Sequence, residues 1–178
     1  MKFNYLYNPF FLIAGFKSFI IGFIGLLLTS YLAYLTGTHF IGILNIDFAK
    51  DSKFCFFLLE SSSHWFLMST LFFLAGTILS KSRIRAIDVF GTVLLSRLPF
   101  IIVPLIRIIP FFQSFSAYST AMFIIIGVYV FSLIWFGLLV FNAFRISCNL
   151  RNEKLIFSFI ICLILAEIFS KLLIWLLT

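Results

Sequence analysis

Long apolar runs separated by short polar segments are the main pattern of this sequence. A helix rises about 1.5 Å per residue, so about 20 apolar residues cross the roughly 30 Å hydrocarbon core of a bilayer. The runs are continuous rather than alternating, which disfavours transmembrane β-strands. The pattern predicts an all-α integral membrane bundle of five transmembrane helices, forming one domain over residues 1–178. The five spans are expected at about 17–35, 55–80, 86–108, 120–144 and 155–177.

The segment ahead of the first span, residues 1–16, contains KFNYLYNPFFLIAGF. Asn8 is a residue type that caps helices, and Pro9 would take the first helical position, where its missing N–H costs nothing. These features predict a short amphipathic segment in the membrane interface. A cleaved signal peptide is the competing interpretation, but no small-residue cleavage site follows and the apolar run is longer than a typical signal.

The amino-acid composition also indicates an integral membrane protein. Hydrophobic residues make up 63% of the chain and charged residues 11%, against about 45–50% and about 25% in soluble proteins. This hydrophobicity excludes a disordered chain. The net charge of +7 is scattered rather than clustered on one face, so no nucleic-acid partner is expected. The three cysteines fit neither a disulfide framework nor a metal finger, and we expect free, buried thiols.

The distribution of lysine and arginine predicts the orientation, because translocating these residues is disfavoured. With a cytoplasmic N-terminus, eight of them lie inside, namely Lys2, Lys17, Lys81, Arg83, Arg85, Arg145, Arg151 and Lys154. Three lie outside, namely Lys50, Lys53 and Arg107. We therefore expect the N-terminus inside and the C-terminus outside, with the bacterial cytoplasmic membrane as the location. The apolar segment GTHFIGILNIDFAKDSKF after the first span is expected to lie along the outer surface.

Two sets of residues suggest contacts with lipid and with other helices. The basic residues of the cytoplasmic loops would attract anionic lipid headgroups at about 1 kcal/mol each; they are Lys81, Arg83, Arg85, Arg151 and Lys154. Small residues let helix backbones approach in lipid, and they recur on one face of the first span at Gly15, Ser18, Gly22, Gly25 and Thr29. This face is expected to pack inside one subunit, with homodimerisation as the alternative.

Ionisable residues inside the predicted spans are the strongest pointers to function, because an unpaired charge there costs about 2.5–3.5 kcal/mol. They are Glu60, Arg97, Glu167 and Lys171. Counting residues from the predicted span ends places Arg97 level with Glu167, and Glu60 level with Lys171, which predicts these two pairs. Glu167 and Lys171 are also four residues apart on one helix, where they can pair with each other. The groups form either a structural clasp or a path for protons or ions.

The segment LLESSSHWF places Glu60 and His64 on one face of the second span. A carboxylate and an imidazole can hold a metal or move a proton, but two ligands are too few for a zinc site. A hydrogen-bonded polar patch is the alternative. The chain has none of the usual catalytic or phosphate-binding motifs, so we expect no enzyme activity, no metal and no cofactor. Pro99, Pro104 and Pro110 are expected to kink the outer half of the third span.

Three stretches carry a resemblance to a known family. They are YNPF before the first span, the basic hinge SKSRIRAIDVFGTVLLSRLP with Asp88 and Pro99, and SLIWFGLLVFNAFRISCNLRNEKLIFSFIICLI. Together they resemble the Yip family, the Ypt/Rab-interacting membrane proteins with five spans, a cytoplasmic N-terminus and a short external C-terminus. Eukaryotic members carry an extended cytoplasmic N-terminal region, whereas only residues 1–16 precede the first span here. The chain is therefore similar to compact prokaryotic members, and binding of a Rab-type GTPase is doubtful.

These observations give two functional hypotheses. The first is a non-enzymatic adaptor or organiser of Yip type, which contacts lipids and other membrane proteins, or a second copy of itself. The alternative is a small-solute or ion transporter with a buried polar path at Arg97, Glu167 and Glu60.

Overall fold

The computed structural model describes residues 8–49, 53–113 and 119–177, and these form a helical bundle with one short β-hairpin. The helices are α1 (Phe16–Thr36), α2 (Phe54–Leu79), α3 (Ala86–Ser96), α4 (Ile102–Arg107), α5 (Thr120–Ser147) and α6 (Asn152–Leu177). Helices α3 and α4 belong to one span, Ala86–Arg107, so the described residues contain five helical spans long and apolar enough to cross a membrane. The expected all-α class is confirmed, and the chain has the architecture of a multi-pass membrane protein.

The third span changes its helix type at a proline. A 3-10 turn over Leu98–Ile101 separates α3 from α4, and Pro99 lies in the first positions of this turn. A proline removes one helical hydrogen bond and clashes with the carbonyl four residues earlier, which explains why the α-helix stops here. Arg97 is the last residue before the turn, so the irregular backbone lies directly beside this charged side chain.

The two ends of the bundle differ in structure and charge. At one end, which we call the hairpin end, residues 37–49 follow α1 in the connection to α2 and form strands β1 (Thr38–His39) and β2 (Asp47–Phe48). The strands are antiparallel, with Thr38 opposite Phe48. At the other end, which we call the basic end, two short turns connect α2 to α3 and α5 to α6. These turns contain Lys81, Arg83, Arg85 and Arg151, and Lys154 lies in the first turn of α6.

Close backbone contact joins α1 to the third span. A Cβ atom added at Gly22 would lie 2.7 Å from the Leu95 backbone nitrogen, and one added at Gly91 would lie 2.7 Å from the Gly15 carbonyl oxygen. A Cβ at Gly25 would overlap the Leu98 side chain. The small-residue face of α1, with Ser18 and Thr29 also buried, is thus covered by the third span of the same chain.

Phenylalanines fill the space between the other helices. Phe72 of α2 stacks against Phe144 of α5 with ring centroids 4.4 Å apart, and Phe100 meets Phe136 at 4.8 Å. All four rings are fully buried. Helix α6 packs mainly against α2, whereas the third span packs against α1, α2 and α5. Helix α2 therefore separates α6 from the third span.

The N-terminal segment ahead of α1 is described from residue 8 onward. Residues 1–7 lie outside the described residues, and Pro9–Phe11 form a single 3-10 turn in which the Asn8 side chain makes no cap. Phe10 is buried in a small cluster with Leu95 and Leu139. The side chain of Phe10 therefore anchors this segment between the third and fourth spans. Its position in the membrane interface stays a prediction.

Candidate functional site

Glu60 of α2 binds the hairpin end instead of a lysine. Its Oε1 lies 3.0 Å from His39 Nδ1, and its Oε2 accepts a 3.2 Å hydrogen bond from the Phe40 backbone N–H. We assign the imidazole proton to Nδ1, so that His39 donates to a carboxylate oxygen of Glu60. Glu60 and His39 are both buried, and the His39 ring stacks on Phe57 at 4.2 Å between centroids. This carboxylate thus ties the hairpin to α2.

Glu167 of α6 holds the same segment from the other side. Its Oε2 accepts a 2.9 Å hydrogen bond from the Leu44 backbone N–H, and its Oε1 lies 3.1 Å from Lys171 Nζ. Gly42 gives the carboxylate room, because a Cβ atom there would come within 2.6 Å of Oε1. The alternative pairing of Glu167 with Lys171 along one helix is confirmed.

Arg107, at the end of α4, is a third charged residue that binds the hairpin segment. Its Nη1 donates to the Thr38 hydroxyl at 2.9 Å and to the Gly37 carbonyl at 3.3 Å. Its guanidinium also lies over the Phe48 ring, 4.1 Å from the centroid. The sequence predicted Arg107 only in an outer loop, yet this residue is 3% exposed and supports the hairpin.

The two predicted ion pairs are wrong. Arg97 forms no ion pair with Glu167, and Glu60 forms none with Lys171, among the described residues. The first pair fails because α2 lies between α6 and the third span. The second fails because the hairpin segment folds inward, with Phe40 and Ile43 buried, and offers Glu60 nearer donors. The expected position of this segment along the outer surface of the membrane stays a prediction.

A cavity of about 350 Å³ opens beside these carboxylates at the hairpin end. Its polar lining comes from His39, Asp47, Glu60 and Lys171. Within the described part of the chain, no three His, Cys, Asp or Glu side chains lie close enough to hold a metal ion. The cavity therefore brings two carboxyl groups, an imidazole and a lysine amine together, but without the geometry of a metal centre.

Arg97 and His64 form a second polar region, inside the bundle. Arg97 is 8% exposed and its Nη1 has no hydrogen-bond partner; His64 is fully buried and neither ring nitrogen has one. His64 therefore does not bind Glu60, although both lie on α2. The Ser61 hydroxyl also lacks a partner, and it lines a cavity of about 10 Å³ with Arg97 and Phe100. The Arg97 guanidinium lies over the Phe100 ring, 5.6 Å from its centroid, but no ion pair among the described residues balances its charge.

Three basic side chains meet in a third cavity, of about 590 Å³, at the basic end. Lys81 lies in the turn after α2, and Arg151 and Lys154 lie in and after the turn before α6. Arg83 lies outside the cavity lining, and Arg85 pairs with Asp88 at 3.5 Å. Of the five basic residues predicted to attract lipid, the structure thus brings three together.

The turn before α6 contains two residues in the left-handed conformation, which were not predicted from the sequence. Asn149 and Asn152 have φ angles of 49° and 58°, in the left-handed region that asparagine tolerates better than most residues. Two such residues tighten the turn and direct Arg151 and Lys154 toward Lys81. The sequence did contain a signal for this conformation, namely two asparagines that begin and end a short turn.

No family model, curated protein or solved structure matches this chain, so its resemblance to the Yip family stays a prediction.

Proposed function

We propose that the protein is a non-enzymatic membrane organiser that binds anionic lipid headgroups at its basic end. The observation that supports this is the cavity formed by Lys81, Arg151 and Lys154. Ser80, Ser82, Asn149 and Asn152 add polar side chains to its lining, and no acidic residue lines it. Basic pockets between transmembrane helices at the cytoplasmic side are typical binding places for phosphate-containing headgroups.

The charge balance at this end favours an anionic ligand. Lys81, Arg151 and Lys154 are exposed and form no ion pair within the described residues. The nearest acid in sequence, Glu153, is exposed and does not line the cavity. Cations from both connections line one cavity. A single phosphate group bound there would contact both connections and hold α2 beside α6.

Contacts with other membrane proteins, or with a second copy, belong to the same proposal. The small-residue face of α1 is unavailable to a partner, because the third span covers it. Outward-facing apolar side chains such as Phe131, Ile134 and Phe157 leave α5 and α6 open to lipid or to another helix. We therefore assign partner contacts to these two helices.

Neutralising the cavity weakens lipid binding. In the variant Lys81→Gln/Arg151→Gln/Lys154→Gln, each lost charge removes about 1 kcal/mol of attraction. We expect at least a tenfold weaker affinity for phosphatidylglycerol or cardiolipin, with binding of phosphatidylcholine unchanged. Native mass spectrometry of the protein in detergent, titrated with each lipid, measures this difference.

The matched control removes three charges from the same end but outside the cavity, with Lys17→Gln/Arg83→Gln/Arg145→Gln. This variant should keep most of the selectivity for anionic lipid. Equal losses in the two variants would show a diffuse attraction to the surface and would contradict a headgroup site.

We further propose that the basic end faces the cytoplasm, as the lysine and arginine distribution indicates. Cys55 tests this orientation, because it is exposed at the hairpin end, contrary to the expectation of three buried thiols. Cys148 and Cys162 are buried, and burial raises the pKa of the Cys148 thiol to about 12. A membrane-impermeant maleimide should therefore label intact cells at Cys55 alone.

Two variants complete the labelling experiment. Cys55→Ser should abolish labelling of intact cells, and Arg83→Cys added to Cys55→Ser should be labelled only after the membrane is opened. Labelling of Arg83→Cys in intact cells would reverse the proposed orientation.

A further inference from the structure

We propose that Arg97 binds a single small anion, of the chloride class, in the core of the bundle. A buried charge in a membrane protein is costly unless a partner or water compensates it. Arg97 is 8% exposed, and its Nη1 is buried without a hydrogen-bond partner. The acids inside the spans cannot neutralise it, because Glu60 binds His39 and Glu167 binds Lys171.

The space beside Arg97 is small and selective. The cavity of about 10 Å³ lies between α1, α2 and the third span, with Gly25, Ser61, Arg97 and Phe100 in its lining. A space of this size holds about one water-sized particle. A carboxylate or phosphate group therefore does not fit, whereas one monatomic anion fits with little adjustment of the walls.

The lining supplies hydrogen-bond donors for an anion. The Ser61 hydroxyl is buried and has no partner, so it is free to donate to the same occupant as Arg97. His64, one turn later on α2, also has both ring nitrogens buried and unpartnered, but it does not line the cavity. Thr29 also lines the cavity, but its hydroxyl already donates to the Gly25 carbonyl at 2.7 Å, so Arg97 and Ser61 are the side-chain donors left for the occupant.

Chloride dependence of thermal stability tests this site. The purified protein is unfolded in detergent in chloride or gluconate buffers of equal ionic strength. A ligand that binds only the folded state raises its Tm, and chloride at ten times its dissociation constant should raise it by about 3–6 °C. Bromide should substitute for chloride, whereas gluconate should not, because it is polyatomic.

Arg107 provides the matched control, since it is also a buried arginine of the third span but donates to Gly37 and Thr38. Arg97→Gln should remove the chloride dependence, and Arg107→Gln should keep it. Absence of a chloride effect in the wild type would mean that the cavity holds only water and would overturn the proposal. A chloride effect that persists in Arg97→Gln would overturn it as well.

A second variant keeps the test decisive if Arg97→Gln does not fold. Ser61→Ala removes one donor but leaves the charge, and it should raise the half-saturating chloride concentration about tenfold or more, consistent with loss of one hydrogen bond to a charged group. An unchanged half-saturating concentration would place the bound chloride elsewhere.

Discussion

Replacing Glu60 with alanine is expected to lower the free energy of unfolding by about 3–5 kcal/mol. The change strands two buried donors, His39 Nδ1 and the Phe40 backbone N–H, which both bind the carboxylate. Each buried donor left without an acceptor costs about 1–3 kcal/mol, and more for hydrogen bonds to charged groups. Because these donors belong to the hairpin segment, the loss should also free residues 38–48 from α2.

Thermal unfolding measures the loss of stability. Hydrogen–deuterium exchange measures the release of residues 38–48 from α2. Exchange should rise across residues 38–48 and stay unchanged in the turn of residues 80–85 at the basic end. Glu153→Ala is the matched control, since Glu153 is an exposed acid with no ion pair among the described residues. It should alter neither measurement.

A double-mutant cycle separates the pair from the helix around it. Glu60→Gln keeps one acceptor oxygen and should cost less than Glu60→Ala. Combined with His39→Phe, it should cost less than the sum of the two single changes, because the second change removes a contact already lost. Additive losses would show that Glu60 and His39 do not interact.

The helical spans could be predicted from the sequence because a bilayer imposes a simple rule. Every backbone group in lipid must find its hydrogen bond within the protein, so a long apolar run has almost no alternative to a helix. The break at Pro99 follows from the same chemistry, since a proline interrupts the helical hydrogen bonds wherever it stands. Both inferences need only local sequence.

The partners of the charged side chains could not be predicted in this way. Counting residues places Arg97 and Glu167 at the same depth, but depth does not show which helix lies between them. Glu60 and Glu167 instead bind backbone N–H groups of Phe40 and Leu44, and such donors exist in every sequence. Only the position of a 13-residue hairpin segment, 37–49, shows which of them are near.

The arrangement of the basic residues at the basic end could be predicted from the sequence only in part. The sequence identifies the cations as a group, because they follow the ends of the spans. It does not show that Lys81 and Arg151 share a cavity while Arg85 pairs with Asp88. The path of the turn that carries Arg151 includes two asparagines in the left-handed region, and Arg85 pairs with the acid three residues later on its own helix.

Replacing Gly22 with valine is expected to destabilise the bundle by about 3 kcal/mol or more. A Cβ atom at this position would lie 2.7 Å from the Leu95 nitrogen and 2.8 Å from the Leu94 carbonyl carbon. Both are backbone atoms of α3, so no side-chain rotation relieves the overlap and the helices must separate. Overpacking costs about 1–3 kcal/mol where neighbours adjust, and here they cannot.

Gly127→Val is the control, because Gly127 is also a helical glycine but a Cβ there meets no atom within 4 Å. Both changes alter helix propensity alike, so the difference between their unfolding free energies in detergent isolates the contact of α1 with α3. Equal losses would contradict this contact. If instead the small-residue face joined two subunits, Gly22→Val would dissociate a dimer and leave the stability of the monomer unchanged. The clash with Leu95 of the same chain predicts the opposite, namely that the monomer itself unfolds more easily.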